Sequence, residues 1–583
     1  MSTRRRALLL AGLALGALAG TAGTRAQAPG CATCVLADFW RIDPDQWMPG
    51  KSVAPVPERA ALDAAGRPDF GIAFSGGGTR AATATIGQLR ALVQNGWFDR
   101  ARYITGVSGG SWAVVPFTFS ALPVWDLLGP MEPPESLSVP VANLPPTGQL
   151  PRAIAGSRLG AAGAFEAAEF ASRRFAGDRE VFGFEVRKLI DRVFGRRGAS
   201  DQTFADMLAR AFVEPVVPGA RTQLFAWDAP HVERLVDLNP RLRSSDFLTA
   251  AAHRPFLVVG GSLIYAHEAF DYPRLVPIEL TPMYTGVRQQ FGGRIGGIYV
   301  SPLGYDGEAG DVIAEPAADT AGVLRIFGRG ASRNFTLGDV VAVSGAAPLL
   351  GFVRGKPLDK LSYAAQFFPV YNHLTVRGNA ASPAVLAQSH GDGGFTDNLG
   401  LMPLLARQVH NILVFVNAAS SFEDSIQLQV LFRPIERFED WGGDRSMAVV
   451  FRPERWKELK EGFAAARALQ GPVFYCGRNW EVVGNAPFNI APYEGLNICF
   501  MYNHDVPEWK KHLPEDTLRL VETSKKFRSF PWFSTTRELK LDNAQVNLLA
   551  NLSAWSLAHP ATVERISGVL CGGLGSCATA PSP

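Results

Sequence analysis

The sequence predicts an α/β fold in which helices flank a largely parallel central sheet. Two short apolar runs, at 69–74 and 103–107, have the length of buried strands, and each is followed by glycines and then by a helical pattern. Similar runs occur at 256–259 and 412–416. Strands that alternate with helices in this way are typical of layered folds with parallel strands. The chain of 583 residues is 47% hydrophobic and 19% charged, which is ample for a large core.

Helices are expected directly after the first two strands. From Thr79 to Asn95 small and apolar residues recur as they do on a buried helix, and another helix is expected to begin after Ser108. Residues 121–245 combine a proline-rich run with charged helical patterns, and residues 421–583 mix helix and loop signals. We therefore expect an inserted cap at 121–245 and a C-terminal elaboration at 421–583 that packs on the rest.

The first 28 residues resemble a secretory signal peptide. Arginines at 4–6 precede an apolar stretch at 7–19 and a run of small residues ending at Ala28. The apolar stretch is shorter than the roughly 20 residues that span a bilayer. The arginines also fit a twin-arginine signal loosely. We expect an exported protein, periplasmic, outer-membrane-associated or secreted, with no transmembrane segment after the signal is removed.

The net charge argues against nucleic acid as a partner. Removal of the signal takes away four arginines and no acidic residue, which lowers the formal charge from +3 to −1. A near-neutral chain lacks the basic surface that binding to a phosphate backbone requires.

The six cysteines favour disulfide bonds, because their number is even and the protein is expected to be exported. Pairs that are close in sequence are the simplest expectation, although the pairing cannot be read from the sequence. Cys31 and Cys34 have the spacing of zinc ligands, but no second pair of cysteines or histidines at ligand spacing accompanies them. We expect no metal site and no cofactor.

Ser108 is the candidate nucleophile. Residues 106–110 read GVSGG and lie between a predicted strand and a predicted helix, the setting of a nucleophile elbow. Such a turn is too tight for side chains at Gly106, Gly109 and Gly110, and it exposes the serine hydroxyl at a helix N-terminus. The structural alternative is a glycine-rich turn with a capping serine.

A second glycine loop fits the other requirement of acyl transfer. Gly76, Gly77 and Gly78 follow the first predicted strand, and bare backbone N–H groups at such a position can stabilise an oxyanion. The alternative is a phosphate-binding loop, but neither the dinucleotide pattern of glycines nor a Gly-Lys-Ser/Thr sequence is present.

Arg80 and Asp392 complete the candidate site. Arg80 follows the glycines at the start of a helix, where its guanidinium can bind a phosphate through two hydrogen bonds; a surface salt bridge is the alternative. Asp392 lies in the glycine-flanked stretch 391–394, where it can act as a general base toward the serine hydroxyl. An ordinary surface turn would have the same sequence.

These motifs, in this order, resemble the patatin-like phospholipases. The elements are SGGGTR at 75–80, GVSGGSW at 106–112 and a distant DGG at 392–394. Their form is closer to the cytosolic phospholipase and phospholipase B branch than to plant patatin. Two weaker stretches agree, IELTP at 278–282 and SGAAP at 344–348.

The resemblance implies a patatin-like three-layer sandwich and a Ser–Asp dyad. Ser108 would be the nucleophile, and Asp392 would take its proton directly, without a histidine. The N–H groups of Gly77 and Gly78 would form the oxyanion hole, and Arg80 would hold the phosphate. An aspartate with its ordinary pKa is a weak base, so burial should raise the pKa. Calcium dependence is not carried over, because too few residues precede the first strand to form a lipid-binding domain.

The sequence therefore predicts an exported serine acyl hydrolase that cleaves phospholipid or lysophospholipid at a membrane or micelle surface. One catalytic domain is expected at 60–420, because Ser108 and Asp392 must meet. Residues 114–128 and 525–533 are candidates for lipid contact, with buried core as the alternative.

Two other functions stay open at this point. One is an α/β-hydrolase with a Ser–Asp–His triad, since four histidines follow Asp392 and His390 lies just before it. The other is a non-catalytic lipid-binding protein on a hydrolase scaffold. The four histidines are His410, His504, His512 and His559.

Overall fold

A computed structural model describes residues 34–574 of the chain with several gaps. The gaps are 52, 54–55, 158–202, 266–273, 292, 318–319, 330–333, 347–368, 377–382, 435–446 and 535–539. The predicted signal peptide at 1–28 lies outside the described residues, as do Cys31 and Cys577.

A sheet of fourteen strands forms the centre of the molecule, and two further short strands, Leu224–Ala226 and Phe247–Thr249, pair with each other in a separate sheet. The strands are β1 Cys34–Arg41, β2 Gly71–Phe74, β3 Tyr103–Val107, β4 Leu224–Ala226, β5 Phe247–Thr249, β6 Phe256–Tyr265, β7 Arg274–Leu280, β8 Thr285–Val287, β9 Ile298–Val300, β10 Gly307–Ala314, β11 Gly322–Arg329, β12 Val370–Thr375, β13 Ala384–Asp392, β14 Asn411–Val416, β15 Val473–Val482 and β16 Tyr493–Tyr502.

Helices flank the sheet. They are α1 Arg59–Ala64, α2 Gly78–Gln94, α3 Ser111–Phe119, α4 Val124–Leu128, α5 Val139–Ala142, α6 Gln149–Ala155, α7 Thr203–Leu208, α8 Ala229–Leu238, α9 Leu337–Ser344, α10 Gly394–Asp397, α11 Met402–Ala406, α12 Ile426–Gln429, α13 Glu454–Ala468, α14 Pro507–Lys511, α15 Glu515–Thr523, α16 Asn543–Ala558 and α17 Pro560–Leu574. None of these described helices combines the length and the apolar character that crossing a membrane requires.

The centre of the sheet is parallel and its flanks are antiparallel. Parallel pairing joins β16, β14, β2, β3 and β6 in that order. The pairings outside this group are antiparallel, beginning with β6 and β7 on one side and β16 and β15 on the other. The fold is therefore mixed α/β, and the expectation of a largely parallel sheet describes only the five central strands. The predicted run at 256–259 is only the first part of β6, which continues through Gly260 and Gly261 to Tyr265 and pairs with β7 in antiparallel register from Val259 onward.

The central strands carry apolar side chains on both faces, as expected for strands covered by helices on both sides. On β14, Leu413 and Phe415 point into one apolar core, whereas Ile412 and Val414 point into another. The first core includes residues of α2 and α3, and the second includes residues of α11 and α13. The sheet is thus the middle layer between two apolar cores.

The segment 421–583, expected as a C-terminal elaboration, contributes two strands to this sheet and also packs helices against the rest of the chain. Strand β16 pairs with β14 in parallel register, with Ile498 opposite Ile412. Helix α16 packs along α2 so closely that a Cβ on Gly87 would lie 1.9 Å from the Ala550 carbonyl oxygen. At the N-terminal side, β1 pairs with β9 and β11, so the sheet includes residues that precede the expected start of the catalytic domain at residue 60.

A disulfide joins Cys476 to Cys499, which lie opposite each other on β15 and β16. The two cysteines are 23 residues apart. The predicted presence of a disulfide is therefore confirmed.

Candidate active site

Ser108 occupies a sharp turn between β3 and α3. Its φ of 49° places it in the left-handed region, directly after an extended Val107. For a residue with a side chain such a conformation costs on the order of 1–3 kcal/mol and persists only where the surroundings enforce it. Residues 108–110 form one 3₁₀ turn that leads into α3, as expected for a nucleophile elbow.

The flanking glycines are required by close backbone packing. Gly109 lies against the backbone of Gly78. A Cβ on Gly110 would come within 2.7 Å of the Phe74 carbonyl oxygen, and one on Gly106 within 2.5 Å of a side chain of α3. Each distance is too short for a real Cβ contact, so a side chain at any of the three positions would displace the turn.

Asp392 accepts a hydrogen bond from the hydroxyl of Ser108, with 2.7 Å between Oγ and Oδ2. The two residues are 284 positions apart in sequence. Strand β6 brings them together, because it pairs with β3 on one side and with β13 on the other. Val107 faces Gly260 of β6, and Asp392 faces the next residue, Gly261. The Ser108 hydroxyl and the Asp392 carboxylate therefore lie next to each other at the same edge of the sheet.

The carboxylate of Asp392 is buried and held by its own loop. Oδ1 accepts a hydrogen bond from the backbone N–H of Gly394 at 2.7 Å, and the Asp392 carbonyl accepts one from the Ser262 hydroxyl at 2.9 Å. Burial raises the pKa of Asp392 from 3.8 to about 7, although the hydrogen bonds from Gly394 and Ser108 act in the opposite direction. A carboxylate with such a pKa is a far better base near neutral pH than an exposed one.

The glycine loop 76–78 lies beside Ser108 at the end of β2. A Cβ on Gly76 would be only 3.0 Å from the Cβ of Ser108. Gly77 and Gly78 have φ values of 139° and 55°, which disfavour any residue with a side chain. The loop therefore needs its glycines for both its conformation and its approach to Ser108.

The N–H groups of this loop are not equivalent. Gly76 donates to the Asn398 carbonyl at 2.8 Å, so its N–H is already used. Gly78 begins α2, where the first N–H groups of a helix have no partner within the helix. Among the described residues, no hydrogen bond from the N–H of Gly77 or Gly78 is found. These two groups are the candidate oxyanion donors, a role that stays a prediction.

Arg80 is buried on the first turn of α2, which excludes a surface salt bridge. Its Nε and Nη2 donate to the carbonyl of Asn417 at 3.2 and 3.0 Å, and its Nη1 donates to the carbonyl of Phe533. The guanidinium thus joins the segment after β14 and the C-terminal segment to α2. Its predicted binding of phosphate stays a prediction.

The described histidines do not complete a triad, since none of them is hydrogen-bonded to Ser108 or Asp392. The ring of His390 is buried, with Nε2 2.6 Å from the Tyr305 hydroxyl and Nδ1 2.9 Å from the Gln388 carbonyl oxygen. Burial lowers the pKa of His390 to about 3, so the ring is neutral. The other described histidines after Asp392 have partners elsewhere in the protein. The Ser–Asp–His interpretation is therefore not favoured.

The two weaker motifs of the family resemblance, at 278–282 and 344–348, differ in their distance from Ser108. Glu279, in the stretch 278–282, accepts two hydrogen bonds from buried Arg407, which also donates to Glu58. These buried ion pairs link β7 to the segments just before α1 and just after α11, and none of the three residues is hydrogen-bonded to Ser108. By contrast, Ser344 opens the stretch 344–348 and contacts the nucleophile turn directly, although the last two residues of that stretch lie outside the described part of the chain.

Sequence reasoning assigned no role to three residues around the dyad. In the sequence Ser344 is visible only as part of the SGAAP stretch, and Ser262 and Asn398 belong to no local pattern that indicates a role. The segments considered for lipid contact are largely buried: α3 is fully buried, although Trp125 of α4 is 42% exposed. In the stretch 525–533 the phenylalanines are buried.

Comparison with known proteins supports the family resemblance. Residues 70–122 match the family described as lysophospholipase catalytic domain. Over 75 residues the chain is 39% identical to human cytosolic phospholipase A2 zeta, a match that covers 12% of this chain and 9% of that relative. The predicted resemblance to the cytosolic phospholipase and lysophospholipase branch of the patatin-like superfamily is therefore confirmed.

Solved structures of human GIVD cytosolic phospholipase A2 also match the chain. One has a TM-score of 0.38 at 12% identity and covers 87% of this chain and 60% of that chain. A complex of the same protein with methyl gamma-linolenyl fluorophosphonate has a TM-score of 0.38 at 14% identity with the same coverage.

Proposed function

We propose, starting from the likeness of residues 70–122 to the lysophospholipase catalytic domain, that this chain is a lipid ester hydrolase. Its substrates would be the acyl esters of phospholipid or lysophospholipid. The observation that carries the proposal is the 2.7 Å hydrogen bond from the Ser108 hydroxyl to the buried carboxylate of Asp392. A serine held in a strained turn beside a base of raised pKa is the arrangement that nucleophilic catalysis requires.

In the proposed first step, Ser108 Oγ attacks the carbonyl carbon of the ester while its proton moves to Asp392 Oδ2. Negative charge then develops on the former carbonyl oxygen, which the N–H groups of Gly77 and Gly78 would stabilise together with the N-terminus of α2. When the tetrahedral intermediate collapses, the proton on Asp392 passes to the departing alcohol oxygen. The acyl chain stays on Ser108 as an ester.

In the proposed second step, water replaces the alcohol. Asp392 accepts a proton from the water as its oxygen attacks the acyl-enzyme carbonyl, and the same two N–H groups stabilise the second intermediate. The proton then returns to Ser108 Oγ as the fatty acid leaves. Because Asp392 alternates between the two protonation states, a pKa of about 7 suits both halves of the cycle near neutral pH.

Arg80 would contribute in this scheme through its position. It adds positive charge at the N-terminus of α2 and holds the carbonyl groups of Asn417 and Phe533. A direct contact with a substrate phosphate would require some of these hydrogen bonds to be exchanged. We propose further that the protein acts after export, on the basis of the signal-like segment 1–28.

The first test is covalent labelling followed by product analysis. A fluorophosphonate should add to the wild type at the peptide that contains Ser108, and Ser108→Ala should remain unlabelled. Defined phospholipids, lysophospholipids and triacylglycerols should then be incubated with wild type and Asp392→Asn, and the products identified by mass. Since a general base contributes about 10²–10⁴-fold, Asp392→Asn should lose at least a hundredfold in turnover. A wild type that neither reacts with the probe nor releases fatty acid would leave lipid binding as the better proposal.

A further inference from the structure

We propose that Ser344 is a positioning residue for the nucleophile, an inference that rests on the proposed function. The Ser344 hydroxyl accepts a hydrogen bond from the backbone N–H of Ser108 at 2.8 Å. It donates another to the carbonyl oxygen of Gly260 on β6 at 2.7 Å. Ser344 is fully buried and lies 236 residues from Ser108, so the contact depends on the tertiary fold alone.

The bridge lies where the pairing between β3 and β6 stops. The last paired residues are Val107 and Gly260, and Ser108 then turns out of the strand with its positive φ. After this turn the N–H of Ser108 is directed to the Ser344 hydroxyl, which links it to the neighbouring strand. Without that hydroxyl, the Ser108 N–H loses this partner in buried surroundings, which favours rotation of the turn.

Ser344 also contacts the loop that carries the base. Its carbonyl oxygen accepts a hydrogen bond from the N–H of Gly393 at 3.3 Å. Gly393 in turn packs on Gly260, since a Cβ on Gly393 would lie 2.3 Å from the Gly260 carbonyl oxygen. The last residue of α9 thus holds the Ser108 turn through its side chain and the Asp392 loop through its main chain. A side-chain substitution removes only the first of these contacts.

This arrangement also distinguishes Ser344 from the groups that would touch substrate. The N–H of Ser108 is used by Ser344, so it does not compete with Gly77 and Gly78 for the role of oxyanion donor. Ser344 therefore acts through Ser108, by fixing the direction of Oγ toward Asp392 and toward the substrate carbonyl.

The test is Ser344→Ala on a soluble ester and with a fluorophosphonate. We expect kcat and the labelling rate to fall together by about tenfold to hundredfold, the usual effect of displacing a reacting group by about 1 Å. KM should change by less than about twofold, and the pH midpoint set by Asp392 should be retained because its own contacts remain. Ser553→Ala is the matched control, because it removes a buried hydroxyl that bonds the Leu549 carbonyl at 2.9 Å, on α16. It should leave both rates unchanged.

Two results of the rate measurements would overturn the proposal. One is a Ser344→Ala enzyme whose rates stay within about twofold of the wild type, and the other is a loss that disappears once rates are normalised to folded protein. Hydrogen exchange of a peptide covering 103–112 provides a readout independent of activity. Faster exchange in Ser344→Ala supports the bridge even if the wild type hydrolyses no lipid, whereas unchanged exchange contradicts it. An inactive, unlabelled wild type would refute the proposed function alone.

Discussion

Gly109 lies so close to Gly78 that a Cβ on Gly109 would come within 2.0 Å of the Gly78 carbonyl oxygen. This contact packs the turn that carries Ser108 onto the glycine loop 76–78. Both partners are backbone, so neither can move aside as a flexible side chain would. The two turns can approach this closely only because Gly109 has no Cβ. Their contact therefore sets the spacing between Ser108 and the N–H groups of Gly77 and Gly78.

Gly109→Ala should accordingly separate the nucleophile from its candidate oxyanion donors. We expect fluorophosphonate labelling to slow at least a hundredfold, as for the loss of an oxyanion donor, and the free energy of unfolding to fall by about 1–3 kcal/mol from overpacking. Gly568→Ala is the control, because this glycine of α17 has open space around its Cβ position. That variant should label normally and gain about 0.5–1 kcal/mol in stability. Normal labelling of Gly109→Ala would show that the two loops are not coupled.

The activity should depend on pH through Asp392. Because its pKa is raised to about 7, the carboxyl is protonated and inactive as a base in mildly acidic solution. We expect kcat/KM for an uncharged soluble ester to rise with pH and to level off above about pH 8. The profile should be measured between pH 5 and 9 (roughly the range over which such a group titrates), with the folded fraction monitored at each point. A flat profile over this range would contradict a single titrating base of this pKa.

The residues that the sequence could predict are those whose chemistry demands a local pattern. Ser108 and the loop 76–78 need glycines, because backbone must approach backbone there, and glycine runs next to apolar strands are visible in the sequence. Asp392 is flanked by glycines for the same reason. Ser262, Ser344 and Asn398 contact the site through hydrogen bonds to residues distant in sequence, so their roles follow from the tertiary fold and not from a local pattern.

The parts of the fold that sequence reasoning missed have a comparable explanation. Fully buried strands such as β3 and β14 are short, largely apolar runs, which the sequence predicts as strands. Strand β15 is partly exposed, so its mixed composition resembles that of a loop. The antiparallel flanks depend on which strands meet after long connections, and this pairing is decided by packing of distant segments.

Arg80→Lys should distinguish phosphate binding from a packing role. The guanidinium donates to the carbonyls of Asn417 and Phe533, and lysine keeps the charge but cannot form the same set of hydrogen bonds. We expect kcat/KM to fall by a similar factor for a lysophospholipid and for an uncharged ester of the same chain length, together with a lower melting temperature. A loss confined to the phosphate-bearing substrate would instead assign Arg80 to the headgroup.

Asp392→Asn should change the pH dependence of stability as well as turnover. The pKa of Asp392 is about 7 in the folded protein and near 3.8 in an unfolded chain, so the folded state binds the extra proton between these values. Its contribution to stability is therefore fully present below about pH 4 and is lost as the pH rises through about 7.

An uncharged asparagine resembles the protonated carboxyl and removes this loss. Relative to the wild type, Asp392→Asn should be more stable at pH 8, by up to about 4 kcal/mol, and nearly equal in stability at pH 4. Denaturant unfolding of both proteins at the two pH values measures the difference. Should Asp392→Asn be less stable than the wild type at pH 8, the carboxylate would be better accommodated in the folded site than its burial implies, and the case for a base of raised pKa would fail.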